Sequence, residues 1–596
     1  MSFTTRPEIR GSFGVVTSTH WIASTVGFGI LEKGGNAFDA AAATGFVLQV
    51  VEPHLNGPAG DLPIILHDAK ADEIKVVCGQ GVTPAAATIA HYQAQGLRLI
   101  PGSGLLSTVV PGAFDGWLLM LRDHGNLPLR AVLQPAIDYA RDGHPVLPRL
   151  SNTIKDLAGY FAEEWPTSAA VWTPGGKAPE PHENFKNPDL AETYDRLLRE
   201  AEAAATDRRA QIDAARKIWS EGFVADAICD YLKDACVQDV SGQKNSAVLS
   251  REDLACWSAT YEETLSYSYH GWTVHKTRAW SQGPVFLQTL AILKHFDLGA
   301  MDPMGEAFTH TVVEAMKLAF ADREAYYGDP DHSAIPMEIL LSDAYNAERA
   351  KLITARASLD QRPGMVAGLE HLAEHYVTRA ARGFSAPPAQ SDTRPLAQRT
   401  EKRGDTVHLD VIDRWGNMVS ATPSGGWLQS NPVVPGLGFP LNSRAQMFWL
   451  EPGLPTSLAP GRRPRTTLTP SLAEKPDGTR LVFGTPGGDQ QDQWQLIWFL
   501  RLVHHGLDLQ EGMDAPLFHT MHFQSSFFPR RTQPGEITIE PNVGTAVIDG
   551  LRARGHVVTV AEPWSVGRLT AAMRTPDGGL RAAATPRLMQ AYAVGR

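Results

Sequence analysis

Apolar and polar positions repeat with different periods along the chain, and the change of period marks out its elements. Between residues 22 and 51 the spacing predicts two helices. IASTVGFGILEK stops at Gly34-Gly35, a helix C-terminal signal, and Asn36 opens a second helix, AFDAAAATGFVLQVV. Its many alanines predict close packing against another layer. PIILHDAK and EIKVVCG, within 63–79, predict a strand pair, and 110–143 predicts helices separated by HGNLPL. The stretch 145–220 is irregular at first (PTSAAVWTPGGKAPEPHENFKNP). It then becomes a charged helix, DLAETYDRLLREAEAAATDRRAQIDAARK, whose i,i+4 charge pairs describe a solvated face.

A helix follows at 306–327, with an apolar stripe through Val312, Val313, Met316, Ala319 and Phe320. Residues 380–403, rich in Pro, Ser, Arg and Gln, read as a loop or linker. Beyond it the period drops to two. VHLDVI and MVSAT alternate around DRWGN, a hairpin signal. Further strands are expected at 480–484, 536–540 and 556–560, and helices at 489–505 and 545–554. No internal repeat is evident.

Composition narrows the function classes. The 596-residue chain is 43% hydrophobic and 20% charged, which argues against extensive disorder. A formal charge of −11 disfavours nucleic-acid binding, which needs a basic surface. No run of 18 apolar residues predicts a membrane span. The opening segment, MSFTTRPEIRGSFGVVTSTHWIAS, lacks the apolar core of a secretory signal, so a cytoplasmic location is expected. The four cysteines, Cys78, Cys229, Cys236 and Cys256, are too few and scattered for a disulfide scaffold. All precede residue 300, so no disulfide would tie together a chain cut near Thr406.

Several chemistries are missing. There is no HExxH zinc signature, no GxxxxGK[ST] phosphate loop and no GxSxG elbow. His519 and His522 in FHTMHF read as surface histidines of a turn or strand rather than a metal pair. Neither metal nor cofactor is expected. Three segments remain: Asp405-Thr406 at the mouth of a strand, RPRTTLTPSL at 463–472, and GTPGGDQQDQW at 484–494. Each is weak alone, because threonine is common in strands and Pro-Gly-Gly before a helix is usually a turn.

Order and spacing add to them. LEKGGNAFDAAAATGFVLQVVEPH, LPLRAVLQPAIDYARDGHPV, LSREDLACW, VVEAMKLAFADREAYYGDP and TPGGDQQ occur in turn. Through them the chain resembles the γ-glutamyltransferase family of N-terminal-nucleophile (Ntn) hydrolases over nearly its full length. The resemblance implies an α/β (α+β) fold, a four-layer αββα sandwich made from two autoproteolytic fragments, 1–405 and 406–596, that stay associated without a covalent link. It leaves room for a homodimer. It also implies cleavage between Asp405 and Thr406, with the Thr406 hydroxyl attacking the Asp405 carbonyl.

The freed α-amine, a group that ordinarily titrates at about 7.7–8.0, would then act as base for its own hydroxyl. Acyl transfer from a small-molecule amide would end on water or an amine acceptor. Gly487 and Gly488 match the oxyanion donors, at the start of a helix. Ser424 matches a family threonine that hydrogen-bonds the nucleophile, and Thr422 is its strand neighbour.

The family's γ-glutamyl-binding residues are altered. Gln80 stands where an arginine is expected, Gln446 where an aspartate is, and Gly426 where an asparagine is, while Thr466-Thr467 keep the hydroxyls of a serine pair. Charge-assisted hydrogen bonds contribute about 1.5–3 kcal/mol each, so the double loss weakens a claim on the glutamyl zwitterion. Arg444 and Arg465 lie nearby in sequence, either as another carboxylate clamp or as plain loop residues. The loop 448–464 is shorter than the lid-bearing loop of many members, which favours hydrolysis over transfer. Trp415, Trp427, Phe448 and Trp449 either line such an open site or pack a core. Two substrate classes follow: γ-glutamyl amides such as glutathione, or other carboxylate-bearing amides, as for the family's oxamate amidohydrolases and cephalosporin acylases. A non-catalytic relative, uncleaved and using Thr406 as a strand residue, is the rival reading.

Overall fold

The period-two segment after residue 406 forms the expected hairpin. Leu409–Asp413 pairs antiparallel with Met418–Ala421, Leu409 opposite Ala421. Asp413 closes the turn, its Oδ1 accepting from the backbone N–H groups of Trp415 (2.9 Å) and Asn417 (3.0 Å). The computed structural model describes residues 3–383 and 406–596. Asp405 and most of the expected linker lie outside the described residues.

The hairpin sits at the middle of a seven-stranded sheet. In spatial order its strands are Tyr592–Gly595, Gly14–Ser18, Leu409–Asp413, Met418–Ala421, Leu62–Asp68, Glu73–Gly79 and Thr260–Glu262. A second seven-stranded sheet runs Ile9–Gly11, Leu580–Ala584, Thr570–Arg574, Arg480–Gly484, Ser471–Glu474, Trp272–Lys276 and Leu265–Tyr269. Neighbouring strands in both are antiparallel. Each sheet mixes strands from before and after Thr406. The segments before and after Thr406 are therefore parts of one fold.

Alternation assigns each strand two faces. Val15, Ile65 and Val76 of the first sheet meet Leu472, Val482 and Ala572 of the second in a core between the sheets. Outward residues of the first sheet pack under Trp21–Glu32, Ala37–Val51 and Ala113–His124. Those of the second pack under Pro284–Leu293, Glu306–Tyr326 and Gln491–His505. The result is the four-layer αββα sandwich. The alanine-rich helix Ala37–Val51 is buried on every side, opened by a capping box between Asn36 and Asp39.

Some expectations are refined by the structure. The charged helix is two, Pro188–Ala204 and Arg208–Glu221, because Ala205 is extended and the Asp207 carboxylate caps a new start at Ala210 N–H. Both bury an inner face, with Tyr194, Leu197 and Trp219 in the core. The helix Glu306–Tyr326 has more than a stripe in contact, with nearly all of its residues buried, including Arg323 and Glu324. All four cysteines are free. No helix among the described residues is long and apolar enough to cross a membrane.

Glu52, just past the end of Ala37–Val51, is fully buried and accepts from Thr19 Oγ1 (2.6 Å) and Gln590 Nε2 (2.5 Å). Burial raises its carboxyl from 4.5 to about 7, against the opposing pull of Thr19, Arg568 and Arg149. Between those values the native state holds a proton that the unfolded chain has lost. Stability is therefore complete below the unfolded value and falls as pH rises toward about 7. Glu52→Gln should remove this slope. In denaturant melts at pH 5 and pH 8, wild type should lose on the order of 3 kcal/mol relative to the variant. Parallel melts of the two proteins across that range would refute the assignment.

Candidate active site

Thr406 lies at the mouth of the strand Leu409–Asp413, and Thr406, His408 and Asp410 recur with period two on one face. All three are buried. Thr406 Oγ1 donates to Ser424 Oγ (3.1 Å) across a β-bridge, and Val407 N–H donates to Pro423 O (3.1 Å). Ser424 is held in turn by Asp61, whose N–H donates to Ser424 O (2.7 Å) and whose O accepts from Ser424 N–H (3.0 Å). Behind Thr406 a polar thread runs between the sheets. His408 bonds Thr422 Oγ1 through Nδ1 (2.9 Å) and Asp410 Oδ1 through Nε2 (3.0 Å). Asp410 Oδ2 also accepts from Thr17 (3.2 Å) and Thr570 (2.8 Å).

The second sheet brings up the glycine turn. Ser420 Oγ donates to Phe483 O (3.3 Å), and Gly484 lies so near His408 that a Cβ there would stand 2.2 Å from the imidazole. Thr406 lies just before His408 and the Gly487-Gly488 turn just after Gly484, so both lie at the same edge of the sandwich. Gly487 (φ 134°) and Gly488 (φ 58°) occupy the positive-φ region that favours glycine. A single 3₁₀ turn, Gly488–Gln490, precedes the helix Gln491–His505. Polar side chains brace the turn from behind. Gln282 Nε2 donates to Gly488 O (3.2 Å), Arg323 Nη1 to Asp489 Oδ1 (2.7 Å), and Ser526 N–H to Asp489 Oδ2 (2.8 Å).

Of the expected substrate-binding residues, Gln80 and Arg444 meet on Asp61. Gln80 Nε2 donates to Asp61 Oδ1 (3.0 Å) and Arg444 Nε to Oδ2 (2.5 Å). Burial pushes the Asp61 carboxyl up, and Arg444 opposes that shift. Arg444 Nη2 and Gln80 Oε1 are buried without a hydrogen-bond partner. The Arg444 guanidinium lies 5.5 Å from the Trp427 ring. Gln446 is placed differently. Its Nε2 donates to Gly102 O (3.2 Å) and Ser443 O (3.0 Å), and its Oε1 accepts from Phe528 N–H (3.2 Å), so the amide braces the backbone. Thr466 pairs through its backbone with Trp280 and Gln282. The Thr467 hydroxyl is buried without a partner.

The aromatic group separates. Trp427 packs with Met447 and Phe527, while Phe448 joins another cluster with Ala445 and Leu450. Trp449 carries Arg379 and Arg530 at 4.0 and 4.4 Å. Trp415, 48% exposed on the hairpin turn, is apart from them. His519 and His522 are buried, not on the surface. His519 meets the Trp494 ring edge-on, and His522 bonds Gly535 N–H (2.9 Å) and Asp360 O (3.1 Å). Burial lowers His522 to about 3, so its ring is neutral.

Among the described residues one group, His310, Glu314 and His556, has the spacing of metal ligands. There the two imidazoles bond each other (2.8 Å) and the Lys317 ammonium occupies Glu314 (2.7 Å), an arrangement poorly suited to a cation. Sequence reasoning passed over His408, Asp410 and Asp61. The period-two spacing from Thr406 could have found the first two, whereas nothing local marks Asp61.

A sandwich of this kind with a threonine at a strand mouth and a glycine turn at the same edge is the architecture of an Ntn-hydrolase. The family model described as gamma-glutamyltranspeptidase matches residues 23–595, and the chain belongs to that family of amide hydrolases and acyltransferases. It is 29% identical over 585 residues to the glutathione hydrolase-like YwrD proenzyme of Bacillus subtilis (strain 168), covering 97% of this chain and 98% of that one. It is 31% identical to the acylase ACY 1 proenzyme of Pseudomonas sp. (strain SE83), covering 96% and 92%. The solved structure of LmbA2991HD is 51% identical, covers all of both chains and superposes with a TM-score of 0.92.

The glycine turn yields a direct test. A Cβ on Gly487 would lie 2.2 Å from Trp494 Cζ3, and its φ is strained for any L side chain, a cost of about 1–3 kcal/mol before the clash. Gly487→Ala should lower the melting temperature by about 1–3 °C and, by displacing the turn whose N–H groups are the expected oxyanion donors, cut amidase activity by about 100-fold or more. Unchanged activity would exclude the turn from the reacting centre.

Proposed function

We propose that the chain cleaves itself between Asp405 and Thr406, and that Thr406 is then the nucleophile of an amide hydrolase or acyltransferase acting on carboxylate-bearing amides. The observation that carries this reading is the buried Thr406 hydroxyl, held by Ser424 at the edge where the Gly487-Gly488 turn arrives. In the precursor the Thr406 oxygen attacks the Asp405 carbonyl, the amide becomes an ester, and water releases the two fragments. The new α-amine accepts the hydroxyl proton when Thr406 Oγ1 attacks a substrate amide. Backbone N–H groups of Gly487 and Gly488 stabilise the oxyanion. The leaving amine takes the proton, and water or an acceptor amine resolves the acyl-threonine. Interleaving of strands from both fragments in each sheet supports their staying together without a covalent link.

The substrate class follows from the charges around the site. A γ-glutamyl group needs a free carboxylate for its ammonium. Asp61 is already engaged by Arg444 and Gln80, and Gln446 is consumed by the backbone. The unspent Arg444 Nη2 suits a carboxylate instead. A carboxylate-bearing amide without the glutamyl zwitterion is therefore favoured over glutathione.

On denaturing electrophoresis, wild type should give fragments of about 44 and 21 kDa by residue share of the 64.8 kDa chain. Thr406→Ala should stay whole. An intact, inactive wild type would favour the non-catalytic relative. Side-by-side rates on glutaryl-p-nitroanilide and γ-glutamyl-p-nitroanilide should favour the glutaryl compound by about 100-fold, the loss of two charged contacts. Robust glutathione turnover would reverse the substrate assignment.

A further inference from the structure

The helix Glu306–Tyr326 carries Arg323 and Glu324 into the interior, and arginines from distant segments gather on Glu324. Arg323 Nη2 lies 2.8 Å and Arg465 Nη2 2.9 Å from its Oε1, and Arg379 Nη2 lies 3.9 Å from its Oε2. Arg530 stands beside them over the Trp449 ring that Arg379 also covers, its Nη2 donating to Gln446 O (2.6 Å) and Phe448 O (3.1 Å). None of the four guanidinium residues is more than 4% exposed. The buried carboxylates facing them are Glu324 and Asp489. Glu451 also faces Arg379, but it is partly exposed and bonded to His375 (2.7 Å), and the Tyr376 phenol adjoins the same arginine. Among the described residues, four buried cations thus meet two buried carboxylates.

Buried charges are ordinarily paired and their donors used. Here Arg465 Nε and Nη1, Arg530 Nη1, Arg379 Nη2, the Thr467 hydroxyl and Gln524 Nε2 are all buried without a hydrogen-bond partner. The surplus of cations acts in the same direction as burial. Burial, then the neighbouring Arg323, lowers Arg465 to about 10, and burial with Arg465 and Arg379 lowers Arg530 to about 9 despite Glu324.

Resting on the reading of Thr406 as the nucleophile of a carboxylate-bearing amide, we propose that Arg379, Arg465 and Arg530, with Thr467, form a second carboxylate-binding site for the substrate, separate from Arg444. Its place in the fold suits that role. Arg323 ties the cluster to Asp489, the residue after Gly488, and Arg530 ties it to the segment that carries Arg444. Arg379 alone of the three reaches a cleft of about 730 Å³, which it lines with Arg98, Arg382 and Glu451. The planar guanidinium fork matches a carboxylate in two parallel hydrogen bonds, and Thr467, two residues from Arg465 and with its hydroxyl unpartnered, is assigned as a neutral donor. The substrate class is an amide that bears two carboxylates.

The test is calorimetric titration of the purified wild-type protein with glutarate and, separately, with inorganic phosphate at low chloride. The same titrations are run on Arg465→Met, Thr467→Val and Arg444→Gln after melting curves confirm that each is folded. Saturable glutarate binding that weakens about 10-fold or more in Arg465→Met, by a smaller factor in Thr467→Val, and persists in Arg444→Gln is expected. Thr467→Val carries the test if Arg465→Met does not fold. No saturable binding, or binding indifferent to Arg465 and Thr467, overturns the proposal. Phosphate binding tighter than glutarate overturns the carboxylate assignment in favour of a fixed inorganic anion. The titration needs no turnover, so its outcome stands apart from the fragment pattern that tests Thr406.

Discussion

The site depends on backbone pairing across the point where the chain would be cut. Leu409–Asp413 is hydrogen-bonded to Gly14–Ser18 on one side and to Met418–Ala421 on the other, in the middle of its sheet. A strand with both neighbours in place leaves its first residues little freedom. Thr406 inherits that constraint through its bridge to Ser424, and Ser424 through Asp61. Strand interleaving and the positioning of Thr406 thus have one origin. A fold whose sheets each mix both halves holds a strand mouth rigid without a covalent bond on its N-terminal side.

Around that rigid mouth the polar groups fall into two kinds. His408, Asp410, Thr422, Thr17 and Thr570 satisfy one another between the sheets, and Gln446 satisfies backbone groups. Such groups are structural, because a buried polar atom with a partner stabilises the fold and asks nothing of a ligand. Arg444 Nη2, Gln80 Oε1 and the Thr467 hydroxyl are buried and unmatched. Unmatched buried donors and acceptors are costly, and their retention is the observation on which the proposed binding roles rest. The contrast separates bracing from binding without reference to residue type. Gln446, the expected substrate ligand, and Arg465, read as either a clamp or a loop residue, end on opposite sides of it.

Periodicity and glycine placement were enough to mark out helices, strands and the hairpin after residue 406, while the four layers were legible only through the ordered segments that resemble the γ-glutamyltransferase family. The first two are local properties: a period of two or 3.6 and a glycine at positive φ act over a few residues. The break at Ala205–Asp207, the burial of His519 and His522 and the outlying position of Trp415 were not legible, because burial is set by whichever element packs across the position. Asp61, 383 residues from Arg444 along the chain, and Glu324, 141 residues from Arg465, gather their partners only when both sheets and the outer helices are assembled. Electrostatic complementarity between distant segments leaves no periodic trace. The sequence alone indicated which chemistry the chain could carry, and the tertiary structure decided which buried charges were left without a partner, because pairing is set by segments hundreds of residues apart.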